Sequence, residues 1–238
     1  MAFDLSSISR TKRVRAPKVV IAGPGKIGKT TFASHAPNAI GILTEDGADN
    51  VDAQAFPLAQ TLSDVYEAIT TLISTEHEFQ TVFVDSLDWL EPMVQAHVCQ
   101  ANGWKHIEQP GFGKGYIAAA EEWRNFLNGL EALRSQRGMG VVLIAHDKIK
   151  RVEDPLTEGY DSHVLKLHDR AAALQHGIGV GVEPLKDGVA CDRLLPVTVH
   201  VQVACLRTGN VQRRIAAFFA ACRGCQHAQI QIVQPDAS

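Results

Sequence analysis

Four short, nearly continuous apolar runs punctuate the chain: 18–23 (KVVIAG), 38–47 (NAIGILTEDG), 80–86 (QTVFVDS) and 138–146 (GMGVVLIAH). Such brief runs, rich in β-branched residues and bounded by glycine or acids, predict strands covered on both faces. Between them the period lengthens. KTTFASHA (29–36) predicts a helix stopped by Pro37. In 61–75, Leu62, Val65, Ile69, Leu72 and Ile73 share one helical face, with Thr61 or Ser63 as its cap. LDWLEPMVQAHVCQANG (87–103) predicts a helix with Pro92 near its first turns, where early N–H groups have no intrahelical partner. A glycine-rich loop, QPGFGKGY (109–116), precedes a long amphipathic helix over about 116–136. The stretch 147–167 is polar, without a period, and predicted irregular; HDRAAAL (168–174) predicts a short helix.

Strands alternating with helices imply an α/β fold, a mainly parallel sheet with helices on both faces. Ligands of such sheets sit at the carboxyl ends of the strands. Four groups of reactive side chains fall at those ends: the glycine run after the first strand, Glu45, Asp85 and His146.

The glycine run, Gly23-Pro24-Gly25-Lys26-Ile27-Gly28-Lys29-Thr30-Thr31, matches G-x-x-x-x-G-K-[ST] between a predicted strand and a predicted helix. Its glycines let successive N–H groups turn toward an anion. The following helix start favours negative charge. Lys29 then reaches the terminal phosphates of a nucleotide such as ATP, and Thr30 holds Mg²⁺. Lys26, inside the loop, reads as a solvated side chain. Asp85 can hold a Mg²⁺-bound water beside Thr30; its plain alternative is a helix cap, a role for which Ser86 and Asp88 compete. Glu45 or its neighbour Asp46 can deprotonate an attacking water, and a solvated loop acid is the alternative. His146 can sense the last phosphate, or it can pair with Asp147.

Composition narrows the function classes. The 238 residues are 45% hydrophobic and 21% charged, with a net charge of -3. No global positive field draws the chain to nucleic acid, so a local patch has to do so. The first 16 residues form a basic arm without an apolar signal core, and no apolar run is long enough for a bilayer. Five cysteines, odd in number, read as reduced thiols of the cytoplasm. Cys222 and Cys225, with His227 nearby, lack a second ligand pair for zinc.

With those strand ends in view, the chain resembles the RecA-like P-loop ATPases, closest to small phage-encoded AAA-family ATPases of recombination and single-strand annealing. The resemblance rests on VVIAGPGKIGKTTFASHAPN, GILTEDGADNVDA, TVFVDSLDWLEPMV, the stretch GKGYIAAAEEW to LIAHDKIKRVEDP, and YDSHVLKLHDRAAAL. It implies an ATPase core over 17–175, with Lys29 and Thr30 on phosphate and Mg²⁺, Asp85 as the Walker B acid, Glu45 activating water and His146 at a sensing position. It also implies single-stranded DNA as partner, assembly into a ring or filament, and a host cytoplasm. Lys148, Lys150 and Arg151 become candidates for DNA contacts or for a trans-acting finger, against a solvated basic loop. Trp104, Phe112 and Tyr116 become candidates for base stacking, against core packing.

After Leu174 the resemblance ends. The tail, 176–238, carries alternating valines at 197, 199, 201 and 203 before RTGN, which reads as a hairpin or as an aberrant segment; both stay open. Two other functions use the same loop: a nucleotide or small-molecule kinase, and a nucleotide-binding interaction module without turnover.

Overall fold

The computed structural model describes residues 16–47, 51–152, 160–172 and 198–202. In chain order the elements are β1 (Lys18–Ala22), α1 (Lys29–Ser34), β2 (Ala39–Leu43), β3 (Gln54–Ala55), α2 (Leu62–Ser74), β4 (Thr81–Asp85), α3 (Leu87–Asn102), α4 (Lys114–Gln136), β5 (Gly140–Ala145), β6 (Asp147–Val152), β7 (Tyr160–Leu165), α5 (Asp169–Ala172) and β8 (Thr198–Gln202). Each predicted apolar run is a strand. The six-stranded sheet runs β3-β2-β4-β5-β1-β8, and every pairing in it is parallel. This is the α/β P-loop architecture that the RecA-like resemblance implies.

The runs lack alternation because both faces are covered. Val20, Val82, Val84, Val141 and Leu143 point into one core with α2, α3 and α4. Val19, Ile21, Phe83, Val142 and Ile144 point into the other, against Phe32 and Ala33 of α1. Successive residues of a strand face opposite sides, so only an uninterrupted apolar run satisfies both cores. Strand order does the positioning. The chain crosses from β1 over two strand positions to β2, and β5 later fills the gap between β1 and β4. The carboxyl ends of β1, β5, β4 and β2 therefore stand side by side.

The helices follow their caps and apolar stripes. Thr61, not Ser63, caps α2: its hydroxyl accepts from Asp64 N, and the Asp64 carboxylate accepts from Thr61 N at 2.9 Å. Such a cap stabilises a helix by about 1 kcal/mol. In α3, Pro92 lies near the helix start as expected, but past the first turn, so its position is not one of those whose N–H lacks an intrahelical partner. Its missing N–H leaves the Asp88 carbonyl without an i−4 donor, a cost set against the burial of Leu87, Leu90, Val94 and Val98.

The long helix begins two residues earlier than predicted, at Lys114. Gly115 is what lets it start there. A Cβ on Gly115 would fall 1.8 Å from the carbonyl oxygen of Ile107. Glycine to alanine inside a helix ordinarily stabilises by up to about 1 kcal/mol. Here the obstacle is backbone and cannot rotate away. Gly115→Ala is therefore expected to destabilise, by roughly 1–3 kcal/mol, in a urea melt; a stabilised variant would contradict the contact.

The stretch after β5 is not irregular. β6 and β7 form an antiparallel hairpin, with Asp147 opposite Leu165 and Val152 opposite Tyr160. Its apolar members are too few for a period-two reading. From the tail, β8 lies parallel to β1, with Thr198 opposite Lys18, so it extends the sheet and pairs with β1 as a parallel edge strand. The RTGN turn, the cysteine pair 222 and 225, and the arm before residue 16 lie outside the described residues. Among the described residues, no helix is long and apolar enough to cross a membrane.

Candidate nucleotide site

The loop leaving β1 turns through left-handed backbone at Lys26 (φ 65°) and Gly28 (φ 96°). For Lys26 this conformation costs about 1 kcal/mol, a strain of the kind that persists at functional loops. Pro24, Gly25 and Lys26 are exposed, and Lys26 is solvated as predicted. Gly28 is the N-cap of α1, so the chain enters the helix with the loop's N–H groups gathered at its start. Ile27 packs partly against the α1-side core and ties the loop down.

Lys29 is buried, and its ammonium spans the loop, donating to Gly23 O at 3.0 Å and Pro24 O at 2.8 Å. Burial lowers its pKa, while the carboxylates of Asp85, Glu45, Asp88 and Asp147 pull the other way. Four acids thus act electrostatically on the Lys29 ammonium. A triphosphate entering such a field needs a divalent cation with it.

Two observations fit Mg²⁺ to this place. The Thr30 hydroxyl donates to Asp85 Oδ2 at 2.6 Å, which joins the two predicted ligands. Asp85 Oδ1 is buried without a hydrogen-bond partner; a buried carboxylate oxygen is costly unless something binds it. Burial raises the Asp85 pKa, against the Thr30 hydrogen bond and the Lys29 charge, which lower it. Thr30 and Asp85 would hold the ion.

Thr44, unremarked in the sequence, locks the geometry. It is buried, its hydroxyl donates to Ser86 O at 2.7 Å and accepts from Ser86 N at 2.8 Å, and its own N–H reaches Asp85 O at 2.7 Å. This clamp binds the end of β2 to the end of β4 and sets Glu45 beside Asp85. Glu45 is half-buried and its pKa is raised, first by burial and then by the charge of Asp85. Asp46 and Asp52 are exposed. Of the two predicted candidates for a base, the structure brings Glu45 to the site and leaves Asp46 outside.

His146, at the end of β5, pairs with Asp88 and not with Asp147 through its ring. Its Nδ1 lies 2.9 Å from Asp88 Oδ2 and 3.1 Å from Oδ1, and its backbone N–H donates to Oδ1 at 3.0 Å. Asp88 is thus committed to His146, and no side chain caps α3. The other ring nitrogen, Nε2, faces the loop: a Cβ on Gly25 would lie 3.9 Å from it.

A family model described as an AAA domain, AAA_24, matches residues 15–178, well over half of the chain. The chain belongs to this AAA-type P-loop ATPase family. No curated protein matches it. The match ends where the resemblance read from sequence also stops, just past α5.

Within the AAA domain, the strand ends bring Lys29, Thr30, Glu45, Asp85 and His146 to one edge. The basic trio behaves differently. Lys148 donates to Leu167 O at 2.7 Å, and Lys150 pairs with Asp169 at 2.9 Å. Both ammoniums are thereby turned toward the chain's own α5 side of the hairpin, while Arg151 lies exposed on β6. Two further residues, Thr44 and Asp88, complete the site. A polar residue inside an apolar strand end was the only signal for Thr44, and Asp88 looked like a helix cap.

Proposed function

We propose that the AAA domain binds ATP with Mg²⁺ at this edge, hydrolyses it, and acts on single-stranded DNA in recombination or annealing as a ring or filament of identical subunits. The observation that carries hydrolysis is Glu45, half-buried beside the Thr30–Asp85 pair with a carboxyl whose raised pKa suits a base. Mg²⁺, when bound, neutralises charge on the terminal phosphates. Glu45 takes the proton of the attacking water as the water oxygen bonds to the γ-phosphorus and the bond to the β–γ bridging oxygen breaks. Lys29 stabilises the charge that develops on the departing diphosphate.

Phe112 supports the DNA reading. It sits at φ 48° between Gly111 and Gly113, both at 69°, and is 97% exposed. The other two aromatic candidates have protein partners: Trp104 packs partly into the core, and Tyr116 stacks on His168 with ring centroids 3.8 Å apart. That stack also ties the loop toward the nucleotide edge, because His168 N–H donates to the Glu91 carboxylate at 3.0 and 3.1 Å, one turn along α3 from Asp88.

The test is the rate of phosphate release from ATP with and without single-stranded DNA. Stimulation is expected in the parent chain. Phe112→Ala is expected to weaken DNA binding roughly tenfold, from a stacking contribution of about 1–3 kcal/mol per base. If DNA changes neither rate nor retention, the DNA part of the proposal fails and the ATPase part stands. Transfer of phosphate to a small acceptor in place of water would instead establish the kinase alternative.

A further inference from the structure

The loop after β1 places a lysine where its backbone favours glycine. Lys26 stands at φ 65°, in the left-handed region, while its neighbour Gly25 does not adopt a positive φ. Packing does not demand glycine at 25 either. A Cβ there would meet nothing closer than His146 Nε2 at 3.9 Å, an ordinary contact. A lysine kept in strained backbone on a ligand-binding loop calls for a functional reason.

The other lysines near this edge are engaged. Lys29 donates to Gly23 O and Pro24 O, and Lys148 and Lys150 are held by Leu167 O and Asp169. Lys26 is exposed, and among the described residues it makes no hydrogen bond or ion pair. Its placement is defined by the loop. Pro24, Gly25 and Lys26 form an exposed crest, Ile27 packs partly against the α1-side core, and Lys29 lies buried beneath. An anion held by the loop has the Lys29 ammonium on its inner side and solvent on its outer side. The Lys26 N–H belongs to the crest. Its four-carbon stem is long and flexible enough to carry the ammonium back onto a group seated against that backbone.

We infer that Lys26 is a second phosphate-binding lysine, whose ammonium folds over the open side of the loop onto the polyphosphate of a bound nucleotide. The inference rests on the proposed nucleotide site and adds a side chain to what the loop backbone and Lys29 supply. The contact is one of charge at the solvent edge, so salt screens it. It raises affinity for ADP and ATP alike.

The experiment measures dissociation constants of the full-length chain for ADP and ATPγS, each with Mg²⁺, by titration calorimetry at several salt concentrations. Lys26→Gln keeps a long polar side chain in the same backbone and removes the charge. It is expected to weaken both nucleotides roughly five- to tenfold, the scale of one charge-assisted contact left partly in water, and to flatten the dependence on salt. Lys26→Arg should keep most of the affinity. Lys26→Gly removes the charge and relieves the strain. It should melt no lower than the parent, yet bind as weakly as Lys26→Gln. Parent-like affinity in Lys26→Gln or Lys26→Gly overturns the phosphate contact, as does a loss in Lys26→Arg as large as in Lys26→Gln. In either case a parent chain that binds both nucleotides leaves the site itself standing. A parent chain that binds neither overturns the site, and this inference with it.

Discussion

Lys29→Ala is expected to abolish tight binding of ATP with Mg²⁺. The lost ammonium makes a charge-assisted contact of about 1.5–3 kcal/mol, which is roughly ten- to a hundredfold in affinity. The structure adds a second loss. Lys29 also bridges Gly23 O and Pro24 O, so alanine leaves two loop carbonyls without their donor. It also removes a positive charge that acts on Glu45, Asp85, Asp88 and Asp147. Repulsion between those acids and the phosphates then rises, and affinity should fall further than the single contact predicts. Calorimetric titration of the variant checks this. Parent-like affinity would end the reading of 23–31 as a phosphate loop.

Glu45→Gln should bind ATP nearly as the parent does and turn it over about 10²- to 10⁴-fold more slowly, the usual cost of removing a general base. The amide keeps the shape beside Asp85 but takes no proton. The pH profile supplies a sign. Burial and the Asp85 charge raise the Glu45 pKa in the free protein, and kcat/KM reports free-protein ionisations. The parent's kcat/KM should therefore fall as pH drops through a value above the ordinary glutamate range, because the base is lost by protonation. The variant's residual rate should lack that limb. A variant turning over at the parent rate would move the role elsewhere, although the exposed position of Asp46 makes it a poor substitute.

What the sequence determined by itself was everything that depends on near neighbours along the chain. The four apolar runs had to be strands buried on both faces, because no other short element hides every side chain. The spacing of Gly23, Gly28, Lys29 and Thr30 had to make a tight turn into a helix start, because its geometry is closed within a few residues. Candidate acids were legible wherever they ended such a run. What needed the tertiary structure was each choice between chemically equal neighbours. Glu45 and Asp46 look alike in sequence; the Thr44 clamp turns one toward Asp85 and leaves the other in solvent. Asp88 reads as a helix cap, and only the insertion of β5 between β1 and β4 brings His146, 58 residues away, against it. Lys148 and Lys150 read as a free basic patch until the hairpin folds them onto Leu167 and Asp169. Gly115 reads as a weak point in a helix until the Ile107 carbonyl fills the space of its missing Cβ. In each case the deciding partner lies on another element, or across a turn whose path the local pattern does not specify. Hydrophobic period encodes which faces are buried; strand order and close approach decide which polar groups meet there.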